Sequence, residues 1–244
     1  MVTLRRPDTL STLLDQAATS LIDVVSSLQT TGGGRHGDGV ARLVLTGGGA
    51  GIGLLERIRE LEDADSRIDW SRVHVFFGDD RNVPVDHEDS NEGQARDALL
   101  NHVDIPEANI HGIGLDGGEM EEAARAYEQL IEELAPKGFD IHLLGMGHEG
   151  HINTLFPHTD AVRETQRLVI AVTDSPKPPA ERVTLTLPAV RRAEQVWLLV
   201  SGKDKAQAAK AIVDRANFEE WPAAGAEGTA DTLLYLTDDA ATAL

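Results

Sequence analysis

The residues best suited to chemistry lie in a glycine-rich loop, Gly145-Met-Gly-His-Glu-Gly-His151, which follows a predicted buried strand at Phe139–Leu144. Ligands of open parallel α/β sheets bind beyond the carboxyl ends of the strands, where this loop would lie. We predict that His151 is a general base, because an imidazole can take a proton from water near neutral pH. Glu149 would orient or polarise it. We also expect a short helix after the loop, ended by Pro157.

A metal site at this loop is the weaker interpretation. His148 and His151 are three residues apart with a glycine between them, whereas the zinc motif H-E-x-x-H places its histidines four apart on one helical face. No third ligand is evident, so we predict neither a metal nor another cofactor, and we expect His148 to be an exposed neighbour. The chain has no cysteine and no G-x-S-x-G serine. Attack by water is therefore favoured over a covalent acyl-enzyme.

A second glycine segment predicts an anion site. The predicted strand Arg42–Thr46 runs directly into Gly47-Gly-Gly-Ala-Gly-Ile-Gly53 and then into an amphipathic helix. Backbone N–H groups at the start of such a helix form a cradle for anions. Gly47, Gly48 and Gly49 are accordingly predicted to contact the ligand. The spacing fits neither the P-loop nor the G-x-G-x-x-G motif, and a tight turn without a ligand is the alternative interpretation.

Charged residues follow two further predicted strands. Asp79-Asp-Arg81 lies beyond Val73–Phe77, and Gly202-Lys-Asp-Lys205 lies beyond Val196–Val200. A structural ion pair is the commoner explanation for two acids beside an arginine. Because the cluster lies at a strand end, where ligands bind in such sheets, a role in binding substrate is an alternative of similar weight.

Strands and helices alternate along the chain, without internal repeats. We therefore predict one α/β domain over residues 1–244, a doubly wound, mostly parallel sheet with helices on both faces and a Rossmann-like arrangement. Ser175–Pro179 is predicted to be a rigid linker, too short to divide domains. Further strands are predicted at Leu168–Thr173, Arg182–Leu187 and Leu233–Leu236, and helices at residues 9–29, 90–100, 119–134 and 206–215.

Composition restricts the partners. Acidic residues number 41 and basic residues 22, for a net charge of −19. That balance disfavours nucleic acid and anionic membranes as partners. The sequence has neither a signal pattern nor an apolar run of about 18 residues, so we expect a cytoplasmic protein. If the substrate is an anion, the basic residues beside the glycine loops must form a local positive pocket against an adverse overall field.

Five segments occur in order along nearly the whole chain, and together they resemble one family. They are Thr46–Gly51, Trp70–Pro84 with Ser90-Asn91 behind it, Leu144–Pro157, Arg182–Thr186 and Gly202–Lys205. They are similar to the phosphate loop, the Asp-Glu-Arg-x-Val-Pro…Ser-Asn block, the Gly-Met-Gly-x-Asp-Gly-His…Leu-Phe-Pro signature, the Arg-(Ile/Val)-Thr segment and the Gly-x-x-Lys of the 6-phosphogluconolactonases. That family belongs to a superfamily that includes the hexosamine-6-phosphate deaminases (isomerases).

The resemblance implies hydrolysis of 6-phospho-D-glucono-1,5-lactone to 6-phosphogluconate in the oxidative pentose phosphate route. By position, His151 would activate water, while Arg81 and Lys205 would hold the phosphate beside the Gly47–Gly49 turn. Arg182 is a weaker candidate for the pocket, and Asp79 is an acid that both branches of the superfamily share. The implied partner is a small phosphosugar lactone. The oligomeric state is left open between a monomer and a weak homo-oligomer.

Three departures from the family pattern bear on the site. Glu149 stands where the family has aspartate, and Asp80 stands where it has glutamate, so both keep the charge. Gly49-Ala-Gly51 replaces Ser-Thr-Pro in the phosphate loop. The third change removes hydroxyl groups, so contacts to phosphate in that loop must come from backbone N–H groups.

Two alternative functions are weighed against the lactonase interpretation. The deaminases share the Gly-His loop, but they read roughly Gly-His-Ile-Ala-Phe-Asn-Glu-Pro after it, with the glutamate tuning the histidine. Here Phe156 precedes Pro157, and Arg81 stands where those enzymes usually have an aromatic residue. A non-catalytic sugar-phosphate sensor would need an effector module, and no segment of this sequence supplies one.

Overall fold

A seven-stranded parallel sheet forms the centre of the computed structural model, which describes residues 2–244. Every neighbouring pair in it is parallel. Its strands are mostly apolar and buried on both faces, as parallel sheets require. Numbered along the chain and given in spatial order, they are β1 (Val2–Arg5), β10 (Asp231–Leu236), β9 (Gln195–Val200), β6 (Ile141–Gly145), β2 (Ala41–Leu45), β3 (Val73–Phe77) and β5 (Ile110–His111).

The direction of winding reverses between β2 and β6. From β2 the chain proceeds through β3 to β5 on one side, and from β6 it proceeds through β9 to β10 on the other. The two strands share only two residue pairs, Leu43 with Ile141 and Val44 with His142, which join the middle of β2 to the amino end of β6. Beyond those pairs they separate toward their carboxyl ends. Crevices at such reversal points are where open α/β sheets bind ligands.

A second, antiparallel sheet stands apart from the first, and the sequence pattern did not predict it. It consists of β4 (Asp79–Arg81), β8 (Arg182–Leu185) and β7 (Val169–Val172). Its register places Arg81 opposite Arg182 and Asp79 opposite Thr184. Because alternate residues of a strand share a face, these four side chains lie on the same face of the small sheet.

Seven α-helices are present among residues 2–244. They are α1 (Leu10–Thr31), α2 (Gly48–Ala64), α3 (Asn91–Ala98), α4 (Met120–Leu134), α5 (Asp160–Arg163), α6 (Leu187–Val190) and α7 (Ala206–Val213). Thr9 caps α1 by accepting a hydrogen bond from Thr12 N, and Gly32 ends it in the left-handed conformation. Among residues 2–244, no helix combines the length and the apolar composition that a membrane span requires. The predicted α/β fold with a mostly parallel sheet is confirmed.

Helix α4 joins the two sheets. The Tyr127 hydroxyl accepts a hydrogen bond from Phe77 N, at the end of β3, and lies 3.2 Å from the carbonyl of His111 in β5. On the other side, Glu128 accepts hydrogen bonds from Leu168 N and Val169 N, where the small sheet begins. Buried bonds of this kind fix the small sheet relative to the carboxyl end of β3.

The prediction of a short helix before Pro157 is wrong. Residues 152–155 form a tight turn closed by an isolated bridge between Ile152 and Leu155. Gly150 and Asn153 both have positive φ, 80° and 48°, which a right-handed helix does not allow. The turn instead places Thr154 so that its N–H reaches the Thr184 hydroxyl of the small sheet.

The burial of His142 in β6 can be tested through the pH dependence of stability. It is fully buried, and neither ring nitrogen has a hydrogen-bond partner within residues 2–244. Burial lowers its pKa from 6.5 to about 3. Between those two values the unfolded chain takes up a proton that the folded chain cannot, so stability is lost as the pH falls.

We predict that His142→Leu makes the protein less sensitive to acid. Between pH 6.5 and 4, its unfolding free energy should fall by about 1.4 kcal/mol less per pH unit than that of the wild type. Denaturant unfolding of both proteins at several pH values measures this difference. The other titrating groups are common to both proteins and cancel. Parallel stability–pH curves would contradict the assignment.

Candidate active site

The carboxyl ends of four adjacent strands surround a cavity of about 270 Å³ at the crevice between β2 and β6. Beyond β2 lie Thr46 and the first turn of α2, and beyond β6 lies the histidine loop. Strand β3 leads into the small sheet, and β9 leads into the turn that carries Lys205. Every residue predicted from the sequence to be at the site lines this cavity except Glu149, which lies immediately behind His151.

The glycine segment is mostly helix and only briefly a turn. Helix α2 already begins at Gly48, with Gly47 as its N-cap, whereas the sequence suggested a glycine turn of seven residues. Gly47 has no side chain to cap the helix, and the first turn contains no acid. The first N–H groups of α2 therefore have no side-chain cap where the helix meets the cavity. The Thr46 hydroxyl accepts a hydrogen bond of 3.2 Å from Gly145 N, which ties this turn to the histidine loop.

His151 is held on three sides. Its Nδ1 lies 3.2 Å from Glu149 Oε1, and its ring stacks on Phe156 at a centroid distance of 4.3 Å. A Cβ on Gly147 would collide with this ring, so glycine is required for the loop to fold around it. With Nδ1–H donating to Glu149, the neutral ring keeps its lone pair on Nε2, to which no residue in the described range 2–244 is hydrogen-bonded.

The charges around His151 favour its neutral form. Burial is the main reason that the pKa of His151 lies below 6.5, and the Lys177 ammonium lowers it further. The carboxylates of Glu149 and Asp79 raise it, by less than the other two effects together lower it. The imidazole is therefore an unprotonated base at neutral pH.

Glu149 is ionised, with Lys177 and His151 beside Oε1 and His148 Nδ1 3.2 Å from Oε2. Burial alone would raise its pKa, but hydrogen bonds from Lys177, from its own backbone N–H and from His151 outweigh that effect and bring the pKa to about 2. Lys177 Nζ lies 2.9 Å from Glu149 Oε1. The side chain of His148 is 63% exposed, so it is a neighbour of the site, as predicted.

The two aspartates of β4 face different partners. Asp79 lines the cavity, accepts a hydrogen bond of 2.7 Å from the Thr154 hydroxyl and makes no hydrogen bond to His151. Asp80 accepts hydrogen bonds from Asn91 N and Glu92 N at the start of α3, as well as from Arg81 N. Burial raises the pKa of Asp80 to about 6 against these bonds. Its role is to anchor α3, whereas the carboxylate of Asp79 is available to the cavity.

Four cationic side chains line the cavity, and they differ in their partners. Lys177 is paired with Glu149, and Arg182 Nη1 lies 3.9 Å from Asp79 Oδ2. Arg81 and Lys205 form no salt bridge with any acid in residues 2–244; Arg81 donates to the Asn91 side chain, and Lys205 donates to the carbonyl of Met146 at 2.6 Å. The Nε of Arg81 is buried without a hydrogen-bond partner in the described chain. Uncompensated positive charge therefore remains at Arg81 and Lys205.

Comparison with known proteins identifies the family. A profile described as "Glucosamine-6-phosphate isomerases/6-phosphogluconolactonase" matches residues 8–235. The chain belongs to this family. It is 53% identical to the 6-phosphogluconolactonase of Mycobacterium leprae over 210 residues, which cover 82% of this chain and 84% of that one.

Solved structures agree with this placement. The 6-phosphogluconolactonase of Trypanosoma cruzi superposes with a TM-score of 0.85 at 25% identity, covering 100% of this chain and 97% of that one. A monomeric glucosamine-6-phosphate deaminase superposes almost as well, with a TM-score of 0.83 at 21% identity over 99% of this chain and 100% of that one. The fold is therefore common to both branches of the glucosamine-6-phosphate isomerase/6-phosphogluconolactonase family, and the side chains must distinguish them.

Several residues at the site were missed by sequence reasoning. Lys177 lies in the proline-rich segment that was interpreted only as a linker, and a lysine among prolines in so acidic a chain is a signal that could have indicated it. Phe156 was considered only because it stands where the deaminases have a glutamate, and no sequence signal indicates its stacking on His151. Asn91 belongs to the Ser90-Asn91 pair of the family resemblance, but its contact with Asp79, like that of Thr154, becomes visible only when the small sheet brings distant segments together.

The residues that could ligate a metal do not converge. Within residues 2–244, no three histidine, aspartate or glutamate side chains are grouped so that they could hold an ion. Around the histidine loop, Glu149 is engaged by Lys177, and the side chain of His148 points largely to solvent. The absence of a metal requirement stays a prediction.

Proposed function

We propose that this protein hydrolyses 6-phospho-D-glucono-1,5-lactone to 6-phospho-D-gluconate, with His151 taking the proton from the attacking water. The reaction class follows from the family and from 53% identity to a 6-phosphogluconolactonase over most of both chains. The observation that carries the mechanism is the separation of two functions within one cavity. Unpaired cations and a helix N-terminus form one part, and a neutral, oriented imidazole forms another.

Binding begins with the phosphate. The first turn of α2, Arg81 and Lys205 all line the cavity, and together they offer backbone N–H groups and two cations to a phosphate dianion. The charge-assisted hydrogen bonds of such a site are the stronger kind. Because the phosphate is remote from the lactone carbonyl, the binding energy at this end orients the reacting end.

Hydrolysis then needs one proton acceptor. A water molecule between His151 Nε2 and the lactone carbonyl carbon gives its proton to Nε2 while its oxygen bonds to that carbon. Collapse of the tetrahedral intermediate breaks the bond between the carbon and the ring oxygen. The ring oxygen then takes the proton from the imidazolium and becomes a hydroxyl group. One lactone and one water give one carboxylic acid, which ionises.

The surroundings of His151 favour this reaction over deamination. The residue before Pro157 is Phe156, whose ring stacks on the imidazole and can neither accept nor donate a proton. In the deaminases, as set out above, a glutamate stands at that place. A lactone is an activated ester, so a positioned base together with phosphate anchoring is sufficient for its hydrolysis.

The cytoplasm is the proposed location, and a monomer or weak homo-oligomer is the proposed state. We propose no nucleic-acid partner, because the net charge of −19 disfavours binding to a phosphate backbone.

We predict that His151→Asn lowers kcat by about 10²- to 10⁴-fold, the range typical of a positioned acid–base group, because asparagine cannot accept the proton. Lactone hydrolysis should be followed with freshly generated substrate and corrected for spontaneous opening. His148→Asn is the matched control in the same loop and should keep nearly full activity. A folded His151→Asn protein with near wild-type turnover would remove His151 from the mechanism and direct attention to Asp79.

We predict that Lys205→Ala weakens binding of 6-phosphogluconate by roughly 1.5–3 kcal/mol, since it removes a hydrogen bond to a charged group. Arg81→Ala should act in the same direction. Calorimetry with 6-phosphogluconate and with gluconate isolates the contribution of the phosphate, because gluconate should bind all variants alike. Lys203→Ala, an exposed lysine two residues away, is the control. Equal affinity of Lys205→Ala and wild type for 6-phosphogluconate would place the phosphate elsewhere.

A further inference from the structure

We propose that Lys177 is a positioning residue for the hydrolysis: it holds Glu149 against His151 Nδ1, and Arg182 holds Lys177 in place. The inference rests on the proposed function and deepens it, because it explains how the base is kept in the correct tautomer and orientation. It also gives Arg182 a task other than contact with substrate.

Lys177 contacts Glu149, the Nδ1 side of the His151 ring and the face of the Phe156 ring. Its Nζ lies 2.9 Å from Glu149 Oε1 and 3.4 Å from His151 Nδ1. The same ammonium stands over the Phe156 ring, 5.6 Å from its centroid. Glu149 Oε1 therefore lies 2.9 Å from the lysine ammonium and 3.2 Å from the imidazole, and a carboxylate oxygen placed between two such partners has little freedom to move.

Arg182 determines where Lys177 stands. Its Nε donates to the carbonyl of Pro179 at 2.9 Å, and its Nη2 donates to the carbonyl of Lys177 at 3.0 Å. The Arg182 side chain is only 6% exposed, and β8 fixes its backbone opposite Arg81. Two of its three nitrogens are thus committed to the proline-rich segment, and only Nη1 is left toward Asp79 and the cavity.

The electrostatic consequence can be measured. The charged groups that act on His151 are Lys177, Glu149 and Asp79, contributed by three separate segments, and burial adds to the effect of the lysine. Removal of the lysine leaves two carboxylates and no cation beside the ring. The pKa of His151 must then rise, and the base becomes protonated at a higher pH than in the wild type.

The test compares Lys177→Met with Lys177→Arg and wild type. We expect Lys177→Met to lose between about 10- and 100-fold in kcat, as a misoriented base does. The loss should be larger at pH 6 than at pH 8. Affinity for 6-phosphogluconate should stay within about two-fold of wild type, because Arg81 and Lys205 are intact. Lys177→Arg should recover most of the rate, since arginine can also donate to Glu149.

A second readout does not depend on activity. NMR titration of the His151 ring, assigned through its loss in His151→Asn, should show a higher pKa in Lys177→Met than in wild type. Arg182→Lys keeps the charge but loses the two bonds to the Lys177 and Pro179 carbonyls, and the same upward shift is expected. Should the wild type fail to hydrolyse the lactone, the proposed function fails, while this titration still decides the role of Lys177.

Two results would overturn the inference. If Lys177→Met loses product affinity by the same factor as kcat/KM and keeps the wild-type pH profile, Lys177 is a substrate ligand. If rate, pH profile and His151 titration are all unchanged, the lysine has no role at the base. An unchanged titration in a folded Arg182→Lys protein would remove Arg182 from the proposal.

Discussion

A protein with a net charge of −19 must hold an anionic substrate, and the arrangement of charge at the cavity meets that constraint. The carboxylates nearest the base are each close to a cation, Glu149 to Lys177 and Asp79 to Arg182. Arg81 and Lys205 are left without an acidic partner in the described chain. The N-terminus of α2 adds positive potential from N–H groups without adding a side chain. The cavity can therefore attract phosphate although the surface as a whole repels it.

The small antiparallel sheet makes this arrangement possible. A parallel sheet alone would supply loops at its carboxyl edge, and loops give less exact positions than strands. Strand β4 places Asp79 and Arg81 on one face, and β8 places Arg182 directly across from Arg81. Two arginines in that relation would repel one another. Their bonds to Asn91 and to the Lys177 and Pro179 carbonyls, with Asp79 nearby, keep them in place.

The parallel sheet and most of its strands could be predicted from the sequence, because apolar runs ended by glycine have a local signal. The separate small sheet could not. Its strand Asp79–Arg81 pairs with Arg182–Leu185 across more than 100 residues, so no local pattern encodes that pairing. Val169–Val172 pairs with the nearby Arg182–Leu185, and both were predicted as strands, but their pattern does not show that they form a separate sheet. The helix predicted before Pro157 failed for a related reason. The turn found there has a positive φ at Asn153 and places Thr154 N against the Thr184 hydroxyl, a contact with the small sheet that is distant in sequence.

In the site, too, some residues could be predicted from the sequence and others could not. His151 and the Gly47–Gly49 turn were accessible to sequence reasoning because glycine spacing marks a strand end. The pairing of Glu149 with His151 was predicted from proximity along the chain, and the distance of 3.2 Å agrees with it. Lys177 is 26 residues from His151, and Arg182, which donates to the Lys177 carbonyl, is the residue that we propose holds it there. A contact between two side chains that depends on a third residue cannot be predicted from the spacing of residues along the sequence.

We propose that the phosphate and the lactone carbonyl occupy different parts of one cavity, and a crystal structure with bound 6-phosphogluconate would show whether they do. We expect the phosphate at the first turn of α2, within hydrogen-bond distance of Arg81 and Lys205. The carboxylate carbon of the product should lie beside His151 Nε2. A phosphate bound at His151 and Lys177, with the carboxylate at the glycine turn, would overturn this assignment.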